Sequence, residues 1–214
     1  MESKMWTYKI KLLCLLLLIL LAKPEAKAQY RNLFLYNYSA GKTVGSLDKF
    51  IDGKYYDGFH IDLRHFFKED YSFGFRIGWN NVKAVLDRQS FQTDKGTVSA
   101  IQTRYMSSLP VVLNAFYYPL KGKSLIPYVG GSLGVYVMDY QKWFGSVAFK
   151  KKSFRPGISP EIGFLAPIKK SEVGVGAFAR FNYAAYSHEE VKNMIYMELG
   201  VIIFLGDKND RSCE

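Results

Sequence analysis

The segment MIYMELGVIIFLG (residues 194–206) decides the fold of this chain. From Ile195 onward, aliphatic side chains alternate with a mixed set that includes a carboxylate, a glycine and two aromatic rings. A period of two residues is that of a β-strand, in which successive side chains point to opposite faces. One face is wholly aliphatic (Ile195, Met197, Leu199, Val201, Ile203 and Leu205), and the other carries Tyr196, Glu198, Gly200, Ile202 and Phe204.

Seven further segments alternate in the same way, and none shows helical periodicity. They span residues 33–40, 59–67, 71–80, 109–118, 127–137, 157–164 and 173–182, and residues 98–105 are expected to be extended already. The predicted connections are long at 41–56, 82–97, 139–154 and 184–193, and short at 68–70, 119–124 and 169–172. Gly145 and Ser146 are expected to turn a hairpin that projects beyond the sheet. This regular alternation of long and short connections is typical of outer-membrane barrels, which have short turns at one end and long loops at the other.

The positions of lysine separate a membrane barrel from a soluble sandwich. All 16 lysines beyond residue 28 lie in predicted turns, loops or tails, and none lies in the central part of a strand. A lysine or arginine facing lipid costs about 2–4 kcal/mol at the middle of the membrane, so the charged face must point inward. We predict an all-β fold, an eight-stranded antiparallel up-and-down transmembrane β-barrel. Aromatic residues near the strand ends fit interfacial girdles or simply follow β propensity: Trp79, Tyr117, Tyr118, Phe154, Phe181 and Tyr183.

The inward face of the predicted barrel holds three arginines and three acids. They are Asp62, Arg64, Arg76, Glu161, Arg180 and Glu198. An eight-stranded barrel has an interior just wide enough to be filled by side chains. We therefore expect a balanced network of ion pairs and hydrogen bonds that plugs the lumen, with Tyr128 and Tyr136 contributing. The alternative is a gated path for ions.

The first 28 residues have the pattern of a secretory signal peptide. Lys4, Lys9 and Lys11 precede an apolar run of 11 residues, too short to span a bilayer as a helix, and Ala26 and Ala28 form a small-x-small cleavage site. We predict a signal peptide at 1–28, a barrel at 29–206 and a short tail at 207–214.

Without the five basic and two acidic residues of that segment, 24 basic residues stand against 17 acidic ones, a formal charge of +7. Secretion excludes nucleic acid as a partner, so the charge is expected to face a membrane surface or anionic lipid. Only Cys213 remains beyond the signal peptide, which excludes an internal disulfide.

The closing strand resembles the C-terminal assembly signal of bacterial outer-membrane barrels. Glu198, Gly200, Ile203 and Leu205 supply a polar residue, a glycine two positions later and two hydrophobic residues near the strand end. Eight residues follow the pattern, where many family members end at the last aromatic residue. The resemblance implies insertion by the barrel assembly machinery.

Residues 31–206 as a whole resemble small eight-stranded outer-membrane barrels such as OmpX and the transmembrane domain of OmpA. The run Leu109-Pro110-Val111-Val112-Leu113 is similar to a strand of the PorT-like barrels common in Bacteroidetes. Ser108 stands where that pattern has Glu, and Asn114 where it has Lys, so an inward ion pair is expected to be missing. The resemblance implies a monomeric protein of a Gram-negative outer membrane, in contact with lipid and lipopolysaccharide.

Enzymatic chemistry has weak support in the sequence. Lipid A deacylases of this shape carry His-x-Ser, whereas here Ser187 and His188 are neighbours in a predicted loop and would point apart. His60 shares the inward face with Asp62, but no nucleophile accompanies it. We expect no catalytic residue, no cofactor and no metal site, because three scattered histidines and one tail cysteine lack metal-ligand spacing.

A basic cluster occupies the third long connection, with Lys142, Lys150, Lys151, Lys152 and Arg155. It is a candidate site for the phosphates of lipopolysaccharide or another polyanion, and a solvated loop is the alternative. The sequence therefore predicts a plugged, non-enzymatic barrel with a structural or surface-interaction role. A narrow, porin-like passive pore for ions or small solutes and a lipid A-modifying enzyme remain the alternatives.

Overall fold

In the computed structural model, the described part of the chain forms eight long β-strands and one short helix. The structure describes residues 30–51, 54–93, 96–120, 124–145, 147–168, 171–188 and 191–208. The elements are β1 (Tyr30–Val44), α1 (Ser46–Phe50), β2 (Lys54–Lys68), β3 (Tyr71–Thr93), β4 (Gly96–Tyr117), β5 (Ile126–Phe144), β6 (Val147–Pro167), β7 (Val173–His188) and β8 (Val191–Lys208). The expected signal peptide at 1–28 lies outside the described residues, and β8 runs two residues into the segment expected to be a tail.

The sheet closes on itself as an up-and-down barrel. Each strand pairs antiparallel with the next one along the chain, and β8 pairs with β1. The last strand lies directly between its two neighbours, with Leu199 opposite Ala179 on one side and Ala40 on the other. The closing role of the segment that alternates most clearly is therefore confirmed, and so is the predicted fold class.

The two faces of each strand differ as the alternation predicts. On β8, Leu199 is 70% exposed on the outside of the barrel, whereas its neighbour Glu198 is 1% exposed on the inside. The same pattern holds on β1, where Tyr36 and Tyr38 face outward and Asn37 lies inside. The outer surface carries a belt of exposed aliphatic and aromatic side chains around the barrel, and the charged side chains of the strand centres lie in the interior.

The two ends of the barrel are unequal. The end with the connections 69–70, 118–125 and 168–172 also holds the first and last described residues, and we call it the turn end. At the opposite end, the hairpin end, the strands continue well past the apolar belt.

The long loops predicted at 82–97, 139–154 and 184–193 are wrong, because most of their residues belong to paired strands. Outside the belt these strands keep apolar residues inward, such as Val82, Met138 and Tyr186, and turn polar residues outward. A half-solvated strand of this kind has a mixed composition that resembles a loop. The expected hairpin at Gly145 is confirmed, and Gly145 has a φ of 58°, which favours glycine.

The connection between β1 and β2, predicted as a loop, contains the five-residue helix α1. Leu47, Phe50 and Ile51 are buried inside the hairpin end, where the ring of Phe50 stacks on Tyr140 at 5.0 Å between centroids. The hydroxyl of Thr43 donates hydrogen bonds to Asp48 (2.9 Å) and to the carbonyl of Ile51 (3.2 Å). The helix is therefore docked into the mouth of the barrel. Among the described residues, no helix is long and apolar enough to cross a membrane.

Candidate functional site

The charged residues of the interior form one connected group. Strand register places some of them directly opposite each other: Asp62 faces Arg76, and Arg180 faces Glu161 on one neighbouring strand and Glu198 on the other. Arg64 follows Asp62 by two residues on the same inner face of β2. All six side chains are buried, with exposures of 0–3%.

Glu161 is the centre of this group. Its carboxylate accepts hydrogen bonds from the guanidinium groups of Arg64 (3.1 Å), Arg76 (2.6 Å) and Arg180 (2.8 Å). The first two arginines reach it from β2 and β3, across the lumen from β6. β6 is thus joined to β2 and β3 through the interior by charge-assisted hydrogen bonds, which are among the strongest in proteins.

Asp62 and Glu198 complete the balance of charge. Asp62 accepts from Arg64 (2.8 Å) and Arg76 (3.1 Å), and Glu198 accepts from Arg180 (2.9 Å). Three arginines therefore face three carboxylates in one connected set of contacts. A buried charge without a partner is very costly, so the balance is what allows six ionisable side chains to occupy a water-poor interior.

Neutral side chains extend the network. Tyr128 donates to Glu161 (2.8 Å), Arg64 donates to the hydroxyl of Tyr118 (3.1 Å), and Asn114 donates to Asp62 (2.6 Å). Tyr136 is linked to the charged residues indirectly. Its hydroxyl donates to Asn182 (3.1 Å), whose amide in turn donates to Glu198 (3.0 Å). The girdle position expected for Tyr118 is wrong, because its ring is fully buried. Asn114, at the position where the PorT-like pattern has lysine, still reaches the carboxylate of Asp62.

His60 lies in the same layer, and its partner was not predicted from the sequence. Its Nε2 is 3.2 Å from the Oε1 of Glu198 on β8. Gly78 lies opposite His60, and a Cβ at that position would overlap the imidazole ring. The glycine therefore provides the space in which the histidine ring sits.

Apolar layers cover the charged layer on both sides. Towards the turn end, 11 buried residues pack together: Tyr30, Leu33, Leu35, Phe116, Tyr118, Ile126, Tyr128, Leu165, Phe178, Ile202 and Phe204. The guanidinium of Arg64 lies 3.8 Å above the ring of Phe116, which couples this layer to the charges. Towards the hairpin end, a second layer combines residues of the strands with Leu47, Phe50 and Ile51 of α1 and its C-terminal neighbour.

The residues of the predicted assembly signal divide between the two faces of β8. Glu198 and Gly200 point inward, whereas Ile203 and Leu205 are 55% and 46% exposed on the outer belt. Glu198 also belongs to the ionic layer, so one residue serves both the expected signal and the interior. Recognition by assembly machinery stays a prediction.

The five residues of the basic cluster do not lie on one surface. They belong to the β5–β6 hairpin, where alternation places Lys150 and Lys152 on the outer face with Phe154 and Ile158. Lys151 and Arg155 share the inward side of β6. Lys142 shares the inward side of β5 with Tyr140. The sequence could not show this division, because residues 139–154 were interpreted as a loop.

Two of the residues considered for catalysis lie near the end of β7. Ser187 is exposed near the end of β7 and lies opposite Lys192, and the side chain of His188 lies outside the described residues. Within the described ranges, no group of three or more His, Cys, Asp or Glu side chains is placed to hold a metal ion.

No protein-family model and no curated protein matches the chain. Among solved structures, it is similar to Neisserial surface protein A, with 14% identity and a TM-score of 0.52 over 82% of this chain and 96% of that one. It is also similar to Ail, the attachment invasion locus protein of Yersinia pestis (12% identity, TM-score 0.44, 84% and 99%). A third similar structure is OprG of Pseudomonas aeruginosa (11% identity, TM-score 0.45, 84% and 98%).

The likeness to Neisserial surface protein A concerns the fold. At 14% identity and with 82% of this chain and 96% of that one covered, it shows that this chain has the fold of small eight-stranded outer-membrane β-barrels. The fold implied by the resemblance to OmpX and OmpA is confirmed. The narrower likeness to PorT-like barrels stays a prediction.

Proposed function

We propose that the protein is an integral barrel of a Gram-negative outer membrane, with a closed lumen and a structural or surface-interaction role. The observation that carries this proposal is the opposition of the two faces: an apolar belt outside and a charge-balanced ionic layer inside. In water, the outer face would leave side chains such as Leu133 (64% exposed), Leu199 (70%) and Phe154 (72%) without cover. In a bilayer, acyl chains cover them.

The height of the belt supports this placement. On β8, the outward residues Met197, Leu199, Val201, Ile203 and Leu205 cover nine positions, and all are at least 46% exposed. A tilted transmembrane strand needs about 9–11 residues to cross the hydrocarbon core. The strands of 15–23 residues exceed that length, and the excess lies at the hairpin end. Since both termini of such barrels lie in the periplasm, the hairpin end faces the outside of the cell.

Three layers of side chains in the interior support a closed lumen. Arg64 and Arg76 are each 1% exposed, and their guanidinium groups cross the interior to Glu161. The apolar layer at the turn end lies on one side of these contacts. The layer that includes α1 lies on the other side, at the hairpin end. An ion would have to displace all three layers, so we assign the protein no transport function and favour a role at the cell surface.

The test is single-channel recording in planar bilayers. The purified protein is expected to insert, as shown by heat-modifiable migration on a gel, and to produce no steady channels above the protein-free baseline. A water-filled porin serves as the positive control. Steady channels from inserted wild-type protein would instead establish the alternative, a narrow passive pore.

The hairpin end is the natural surface for interaction. It presents the β3–β4, β5–β6 and β7–β8 extensions, of which the β5–β6 hairpin carries the basic cluster. We further propose that the barrel is monomeric and that it inserts through the barrel assembly machinery. Cross-linking in membranes tests the first statement, and a recurrent dimer would contradict it.

A further inference from the structure

The outer face of the β3–β6 extensions changes from apolar to polar over one step along the strands. The last apolar row consists of Leu109, Val137 and Phe154, which lie opposite one another on β4, β5 and β6. The next outward row consists of Asn81, Ser107, Asp139 and Lys152. The row after it consists of Lys83, Tyr105, Gln141 and Lys150. The two polar rows therefore lie at the edge of the apolar belt that is nearest the hairpin end.

Hydrogen bonds hold the polar rows in place. The indole of Trp79 and the hydroxyl of Ser107 both donate to Asn81 Oδ1, at 2.7 and 2.6 Å. In the neighbouring strand, Gln141 donates to Asp139 (2.9 Å) and accepts from Trp143 (3.2 Å). Tryptophan at the edge of an apolar belt is typical of the membrane–water interface. These contacts therefore mark the level of the lipid headgroups.

Three lysines point outward at this level. The ammonium of Lys83 lies 5.1 Å from the ring centre of Tyr105, and that of Lys150 lies 4.9 Å from the ring centre of Trp143. Lys152 is exposed directly above Phe154 on the same strand. Such side chains can lay their methylene stems along apolar surface while the charge stays at the interface. Asp139 is the one acid in the two rows, so the described rows keep a net positive charge.

We propose that Lys83, Lys150 and Lys152 bind the phosphates of lipid A in the surrounding leaflet. This inference rests on the proposed function, because it requires the hairpin end to face the outer leaflet. Neighbouring strands are about 4.8 Å apart, so Lys83 on β3 and Lys150 on β6 are separated by roughly 14 Å. A disaccharide headgroup with a phosphate on each sugar can bridge such a distance. A phosphate has the charge that these exposed ammonium groups complement.

The same hairpin offers a matched control. Lys150→Gln with Lys152→Gln removes two charges from the outer face, and Lys142→Gln with Lys151→Gln removes two from the inward side. Both double variants have the same net charge and change the same β5–β6 hairpin. The probe is lipid A in phosphatidylcholine nanodiscs, compared with lipid A from which both phosphates have been removed. Retention of each lipid by the protein is measured by native mass spectrometry.

The outer double variant is expected to lose retention of phosphorylated lipid A by roughly tenfold or more, because a lysine near an anionic surface contributes about 1 kcal/mol. The inward double variant is expected to match the wild type, and lipid A without phosphates is expected to bind all three proteins equally weakly. Lys83→Gln, on a different hairpin, should lose retention by about fivefold.

Equal losses in both double variants would overturn the proposal, since only the bulk charge would then matter. A loss confined to the inward variant would also overturn it, because the anion would then enter the mouth of the barrel. Unchanged retention of phosphorylated lipid A in both the outer double variant and Lys83→Gln would also overturn the proposal. Heat-modifiable migration of the wild type is recorded separately. Its absence contradicts the proposed function, whereas an inserted barrel without phosphate-dependent retention contradicts only this inference.

Discussion

Replacing Glu161 by glutamine tests the ionic layer most severely. The carboxylate accepts from Arg64, Arg76 and Arg180 at 2.6–3.1 Å and from Tyr128 at 2.8 Å. The substitution keeps the shape of the side chain but leaves three buried arginines facing two carboxylates. Removing one partner of a buried ion pair costs about 3–5 kcal/mol. Since a domain's net stability is about 5–15 kcal/mol, the loss is a large part of the whole.

The assay is urea unfolding of the barrel in phosphatidylcholine vesicles, followed by far-ultraviolet circular dichroism and by heat-modifiable migration. We expect the free energy of unfolding to fall by about 3–5 kcal/mol. Glu172→Gln, an exposed carboxylate at the turn end, is the control and should stay within about 0.5 kcal/mol of the wild type. Adding Arg180→Gln to Glu161→Gln restores neutrality, and the two changes should couple by about 1–3 kcal/mol. A Glu161→Gln protein as stable as the control would refute the claim that these contacts hold the interior together.

Three further substitutions address the belt, the helix and the space around the histidine. Leu199→Arg in the belt should cost about 2–4 kcal/mol in the same vesicles, whereas Val147→Arg, exposed at the hairpin tip, should be neutral within about 0.5 kcal/mol. Phe50→Ala should leave the sheet folded but speed amide hydrogen exchange in residues 46–51 by roughly a hundredfold, because the docking of α1 depends on that ring. Gly78→Val should displace the ring of His60 and lower the midpoint of urea unfolding, measured by circular dichroism. An unchanged midpoint would contradict the close contact between residue 78 and the imidazole ring.

The central strands were predictable because one physical rule governs them. Because one face of each strand contacts lipid and the other faces a filled interior, successive residues must alternate between apolar and polar or interior-packing side chains. The segment from Ile195 to Leu205 shows this alternation. The same rule identified the six inward charges. Which of these charges pair with one another was not predictable, because the pairing depends on which strands meet across the lumen. Arg64 and Glu161 are 97 residues apart, and only the closed sheet brings them together.

The strand extensions were missed because their environment changes. Beyond the belt the outer face leaves the hydrocarbon and becomes polar, so Lys83 and its outward neighbours resemble loop residues even though Val82 and Ala84 still alternate inward. The helix α1 was missed for a different reason. Its five residues are too few to show a helical period, and so short a helix is stable only when it is docked. The partner of His60 also required the structure, since Glu198 lies 138 residues away in the chain.

The central claim is that the aliphatic face of each strand contacts acyl chains while its neighbour on the strand lies in a closed interior. Nitroxide labels placed singly at residues 197–205 of β8, in a Cys213→Ser background in vesicles, test it directly. Collision with dissolved oxygen should be high at odd positions and low at even ones, and a water-soluble nickel reagent should reach neither set. A flat oxygen profile, or access of the nickel reagent to Leu199 and Val201, would contradict the claim.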